Sequence, residues 1–294
     1  MISGFVILMS LNKVKNSKAF IVNRISRLYP TYWACVTFTF LLILITKMGM
    51  LNGGDIVKYI ANLTMFQFYF RIKNIDGPYW TMIIEMLFYL GMVLLFHFKF
   101  LKYLNHIGIC LLILLGLTAL FDSQFLLIEK IMWWLPILEY VPLFLAGTVF
   151  YKIYLNKDHF FKNYSIIILC MICQILLFKY GRSKTYIDNT EYAMMLVLYF
   201  SLFTMFVFGK LNFLVSNVTL FFGKISYALY LVHQYISIGC IIPFFMGKLH
   251  LNIWVSSILI ALPIVIILAT LITFYIEIPF SKLLKDKLKG VLLR

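Results

Sequence analysis

The sequence predicts an all-α fold, a polytopic transmembrane helix bundle of about eight full spans plus a partial N-terminal helix. Three observations carry that expectation. First, 63% of the 294 residues are hydrophobic and only 13% are charged, with a mean hydropathy of +0.95. Soluble domains are nearer half apolar and about a quarter charged. No soluble fold could cover this much apolar surface, and lipid is the solvent that makes it stable. Second, apolar runs of about 20 residues, the length a spanning helix needs, recur along the whole chain. Third, the net charge of +15 lies in short patches between those runs, as loop charge does on a membrane protein. That placement argues against a nucleic-acid partner. It favours the lipid bilayer, whose anionic headgroups attract each surface Lys or Arg by about 1 kcal/mol.

In chain order, residues 1–11 (MISGFVILMSL) are apolar and stop at Asn12-Lys13. Eleven helical residues reach roughly 16 Å, half of a ~30 Å hydrocarbon core. They read as the second half of a helix whose first half is absent. Nothing basic precedes them, so no cleavable signal peptide is expected. Full spans are expected near 31–46, 79–96, 107–121, 133–151, 164–178, 192–209, 226–246 and 253–276. The stretch 56–70 contains Lys58, Asn62 and Gln67 and reads as an interfacial or re-entrant helix. No repeat and no low-complexity linker is visible, so residues 1–294 are expected to form one domain, with 281–294 as a basic cytoplasmic tail.

Orientation follows from alternate loops. If the loop 12–30 is cytoplasmic, its side of the membrane carries 17 Lys and Arg residues against nine on the other. Acidic residues run the opposite way, three against six. The bias predicts a cytoplasmic C-terminus and an inner (plasma) membrane location.

Ionisable residues inside spans cost at least ~2.5 kcal/mol on insertion scales and are functional candidates by default. Glu85 lies about two turns into its helix, in GPYWTMIIEMLFYLG, where a structural partner for a neighbouring cation is the competing reading. Glu139 lies between Pro136 and Pro142, where an acid in a solvated kink of a broken helix is the competing reading. His233, in ISYALYLVHQYI, shares one side of its helix with Tyr227 and Tyr230 at i, i+3 and i+6. A lone membrane histidine is more often a hydrogen-bonded packing residue than a catalyst, but this polar aromatic stripe is suited to lining a cavity. Arg24 and Arg27, spaced i, i+3 at the start of a helix, serve either as a topology anchor or as an anion site, since paired guanidinium groups suit phosphate.

Other signals are weaker. Cys170 and Cys173 form a C-x-x-C in mid-helix and read as small packing residues. Asn62-Leu63-Thr64 and Asn217-Val218-Thr219 fit a glycosylation triplet, which arises often by chance. No H-E-x-x-H and no clustered His/Cys spacing occurs, so no metal is expected, and no Walker loop or dinucleotide fingerprint is present.

Five motifs in order resemble the acyltransferase-3 family of integral membrane acyltransferases, the O-antigen and exopolysaccharide O-acetylase type. Ile2-Ser3-Gly4-Phe5 is similar to the family's ISGF. Arg24-Ile25-Ser26-Arg27-Leu28-Tyr29-Pro30 is similar to its R-x-x-R-x-Y-P. Trp80-Thr81-Met82-Ile83-Ile84-Glu85-Met86-Leu87-Phe88-Tyr89 is similar to its W-S-L-x-x-E-x-x-F-Y, with Thr81 in place of the usual Ser. Ser226-Tyr227-Ala228-Leu229-Tyr230-Leu231-Val232-His233 is similar to its S-Y-x-x-Y-L-x-H. Glu277-Ile278-Pro279-Phe280 is similar to its terminal E-x-P-F.

The resemblance implies an enzyme that moves an acyl group, acetyl in the first instance, from acyl-CoA (acetyl-CoA) to a hydroxyl of a cell-envelope or exported carbohydrate. The acceptor is commonly lipid-linked. No bound cofactor is implied, because the CoA thioester is a substrate. Carried over by position, Arg24 and Arg27 hold the CoA phosphates. Trp80 and Glu85 match a motif tied to activity; Trp80, Tyr227 and Tyr230 are the further substrate-binding candidates, and Glu85 and His233 are the catalytic candidates. The family's first helix carries an Arg and, about ten residues later, a His thought to be the base or acyl acceptor. No residue here matches them, which again implies a chain shortened at its N-terminus. Two alternatives stand beside the enzyme: a transporter or flippase-like protein that uses the polar stripe as a substrate path, or an inactive truncated remnant.

Overall fold

The computed structural model describes residues 1–46, 53–121, 126–156, 159–180 and 186–292. Every regular element among them is helical. Eight helices are long and apolar enough to cross a membrane: Ser17–Thr46, Gly77–His97, Phe100–Leu120, Pro136–Leu155, Phe160–Tyr180, Asn189–Val207, Asn217–Leu249 and Val255–Val291. These are the eight expected spans with shifted ends. The chain is a multi-pass membrane protein.

The largest shift of a start is at the second helix. Instead of starting near 31 it runs Ser17–Thr46 (α2), after the short α1, Ile2–Leu11. The start is set by Asn16, whose side-chain oxygen accepts the N–H of Ala19 at 2.8 Å and so satisfies one of the orphan donors of a helix N-terminus. Thirty residues make about 45 Å of helix, more than a ~30 Å core needs. Arg24 and Arg27 therefore belong to the helix itself rather than to a loop before it, and Pro30 is accommodated inside it.

The chain divides into two compact units, Met1–Phe20 with Ile84–Val215, and Ile21–Ile83 with Ser216–Arg294. In the first, α5 (Leu104–Leu120) precedes the short α6 (Leu126–Trp134), α7 (Val141–Leu155), α8 (Phe160–Leu177) and α9 (Asn189–Val207) follow it, and α1 and the greater part of α4 (Trp80–His97) join them. Helix α7 is central, with α1, α5, α8 and α9 packed against it. Ala146, Val149, Phe150 and Ile153 are buried there. Gly4 lies against the backbone of Phe144 so closely that no side chain fits, the small-residue contact that lets membrane helices approach. Glu139 falls in a tight 3₁₀ turn, Pro136–Tyr140, just before α7, and its carbonyl accepts from Gln174 Nε2 at 3.1 Å. Cys170 and Cys173 are buried, free thiols on α8.

The second unit holds most of α2, the amphipathic α3 (Gly53–Leu63), the turns that follow it, the first residues of α4, and α10 (Asn217–Gln234) through α13 (Ile278–Leu292). The expected helix over 56–70 ends at Leu63. Beyond it Met65 and Arg71 take positive φ. Buried Asn62 holds this stretch: Nδ2 donates to the carbonyls of Lys58 and Lys73, and Oδ1 accepts from the Ile75 N–H. Helix α10 opens on a reciprocal Ser216/Thr219 cap and packs on α12 (Leu262–Leu271). The short α11 is Ile242–Leu249. π-helical turns occupy Tyr235–Ile241, Val255–Ala261 and Ile272–Glu277; such widened turns recur at functional sites. The segment 281–294, expected as a tail, is helical as part of α13 through Leu292. Residues 293–294, two of the expected tail, lie outside the described residues.

Candidate active site

Helix α10 is the spine of the site in the second unit. Its stripe of Tyr227, Tyr230 and His233 lies on one side, as the spacing predicts. Each member makes a different connection. Tyr227 donates its hydroxyl to the carbonyl of Leu28 at 3.2 Å, one residue beyond Arg27 on α2. Tyr230 donates to the carbonyl of Pro78 at 3.3 Å and lies 2.7 Å from the hydroxyl of Thr81. The two tyrosines thus tie α10 to the arginine motif and to the start of the Trp80 motif.

His233 completes the stripe. Its Nδ1 lies 2.7 Å from the carbonyl oxygen of Tyr230. A carbonyl only accepts, so Nδ1 carries the hydrogen and the lone pair resides on Nε2. The ring is exposed.

A residue not singled out from sequence fixes this end of the helix. Asp76 is 4% exposed. Its Oδ1 accepts from the Gly77 N–H at 2.6 Å and its Oδ2 from the Tyr235 N–H at 3.2 Å. Tyr235 begins the first π-helical turn, where the normal i→i−4 bonding is lost, and the carboxylate supplies an acceptor. Burial pushes the Asp76 carboxyl above its ordinary range, against the pull of the two backbone donors and of the His233 ring. Gly77 lies directly against the side-chain amide of Gln234. The Asp76-Gly77-Pro78 segment therefore clamps α10 on both sides of His233.

Arg24 is half-buried and Arg27 exposed on α2. Arg27 interacts electrostatically with Glu277. Glu277, quoted above only as part of a motif, is thus the acidic neighbour of Arg27. Trp80 is half-buried at the first position of α4.

Glu85 belongs to the first unit. It is half-buried and accepts hydrogen bonds from the hydroxyls of Ser3, at 3.5 Å, and Tyr89. Its partners are hydroxyls on α1 and on its own helix. Among the described residues no three His, Cys, Asp or Glu side chains gather in a way that would hold a metal ion.

Comparison with known proteins places the chain in a family. The family model described as an acyltransferase domain matches residues 1–278, from the first helix to the residue after Glu277. No curated protein and no solved structure matches.

Proposed function

The chain belongs to the acyltransferase-3 family, and from that membership we propose that it transfers an acetyl group from acetyl-CoA to a hydroxyl of a cell-envelope or exported carbohydrate. Membership makes it a membrane acyltransferase. Donor, acceptor and residue roles are this proposal's. The observation that carries them is the His233–Tyr230 contact, which leaves Nε2 as a proton acceptor on the stripe that binds the arginine motif and the Trp80 motif together.

In this reading Arg24 and Arg27 hold the phosphates of CoA, with Glu277 setting the position of Arg27. His233 Nε2 removes the proton of the acceptor hydroxyl as its oxygen attacks the thioester carbonyl. The new C–O bond forms, the C–S bond breaks, and the departing CoA thiolate takes up a proton. An alcohol has a pKa far above 7, and a positioned base is worth about 10²–10⁴-fold in such a step. Trp80 and the ring faces of Tyr227 and Tyr230 supply flat surface to a sugar or nucleotide. Glu85 contributes an orienting carboxylate held by Ser3 and Tyr89. The excess of Lys and Arg on one set of loops supports an inner-membrane protein with the C-terminus and donor site cytoplasmic.

The test is transfer of radiolabel from [acetyl-¹⁴C]acetyl-CoA to the carbohydrate fraction by membranes containing the protein, together with acetyl-CoA binding to the purified chain. Arg27-dependent binding and labelled carbohydrate support the enzyme. Absence of both, with carbohydrate moved unmodified across vesicles, would establish the transporter alternative.

A further inference from the structure

In the second unit, α2 and the last helical run enclose a groove with a volume of about 750 Å³. Pro30, Trp33, Ala34, Phe38 and Leu41 line it from α2, and Ile272, Ile276, Phe280, Leu283 and Leu284 from the other side. Its charged lining residue is Lys287, and Thr37 adds a hydroxyl. The position of that lysine is unusual. On α13, Phe280, Leu283, Leu284 and Lys287 fall at i, i+3, i+4 and i+7, the spacing of one apolar face. Lys282, Lys285 and Lys289 repeat at i, i+3 and i+7 on another face. Lys287 is therefore a cation at the end of an apolar stripe, on a different face from the other three lysines.

The dimensions fit one leaflet. From Pro30 to Leu41 the α2 wall rises about 16 Å, about half of a ~30 Å hydrocarbon core. The run Val255–Val291 has 37 residues, roughly 55 Å of helix, so its last turns extend past the core to headgroup level. Trp33, 45% exposed, has its indole N–H held by the Leu63 carbonyl at 2.9 Å, which fixes the ring in the groove wall.

The geometry points to a bound anionic phospholipid: one acyl chain lies along the groove and the headgroup phosphate is held by Lys287. A zwitterionic lipid fills the apolar part equally well, but its own cation competes for the phosphate. The inference is independent of the proposed chemistry and of which leaflet is involved.

Quenching of tryptophan fluorescence tests it, because bromine on an acyl chain quenches a ring that it touches. The purified chain is placed in bicelles containing chain-brominated phosphatidylglycerol or phosphatidylcholine. The five tryptophans are separated by subtracting the signal of Trp33→Phe. Quenching of Trp33 is expected at about fivefold lower mole fraction of the anionic lipid, from one lysine at the membrane surface. Lys287→Gln should erase that preference, and Lys282→Gln, on the other stripe, should leave it. Equal quenching by both lipids in the wild type would overturn the inference. So would a preference that survives Lys287→Gln, or one that Lys282→Gln abolishes to the same extent.

Discussion

The carboxylate of Asp76 accepts the backbone N–H of Tyr235 at 3.2 Å, joining the turn before α4 to the end of α10 across 159 residues. Asp76→Asn keeps the size of the side chain but replaces one acceptor oxygen with a donor. One of the N–H groups of Gly77 or Tyr235 then loses its partner, at a cost of about 1–3 kcal/mol. Thermal unfolding in detergent should show the loss.

The same residue predicts a pH dependence. Burial raises the Asp76 carboxyl in the folded state, so the folded chain holds that proton more tightly than the unfolded chain does. The stability it contributes is complete below the unfolded value, about 3.9. It declines as pH rises through the raised folded value. A comparison of wild-type and Asp76→Asn melting temperatures from about pH 4 upward should show the extra downward slope in the wild type alone.

His233→Gln should lower kcat for acetyl transfer by about 10²–10⁴-fold with little change in the KM for acetyl-CoA. Steady-state kinetics on membranes checks this. An unchanged kcat would remove His233 from the role of base.

Arg27→Ala should weaken acetyl-CoA binding at least tenfold, since a charge-assisted contact to phosphate is lost. Arg27→Lys should recover only part, because an ammonium does not reproduce the two-pronged guanidinium. Equilibrium binding to the purified chain separates the variants. Glu85→Gln should depress transfer more than tenfold while expression and membrane insertion stay unchanged, which activity and fractionation of the same preparations would show.

Gly4→Ala should destabilise the first unit by about 1–3 kcal/mol, the usual cost of overpacking. The new methyl meets the backbone of Phe144, which cannot swing aside as a side chain would. Gly77→Ala meets the end of a flexible Gln234 side chain instead and should cost less. Melting temperatures of the two variants in one detergent rank them.

What the sequence by itself determined is whatever depends on local composition. All eight spans were legible, because a run of about 20 apolar residues has no other stable use in this chain. The Tyr227–Tyr230–His233 stripe followed from helical period alone. The place of Lys287 beside Phe280, Leu283 and Leu284 did not, because residues 281–294 read as a tail and the structure makes them helix. Helix ends were less legible. The start of α2 rests on one Asn16 hydrogen bond that overrides the polar look of residues 17–30. Tertiary structure alone decided the rest. Asp76 carried no signal in the sequence, and only the fold brings the N–H of Tyr235 to it as a second donor. Glu277 became the neighbour of Arg27 only when the last helical run met α2. The tautomer of His233 depends on where one carbonyl points. These are contacts between groups far apart in the chain or set by exact side-chain direction. A one-dimensional pattern records which residues can make them, and folding selects the partners.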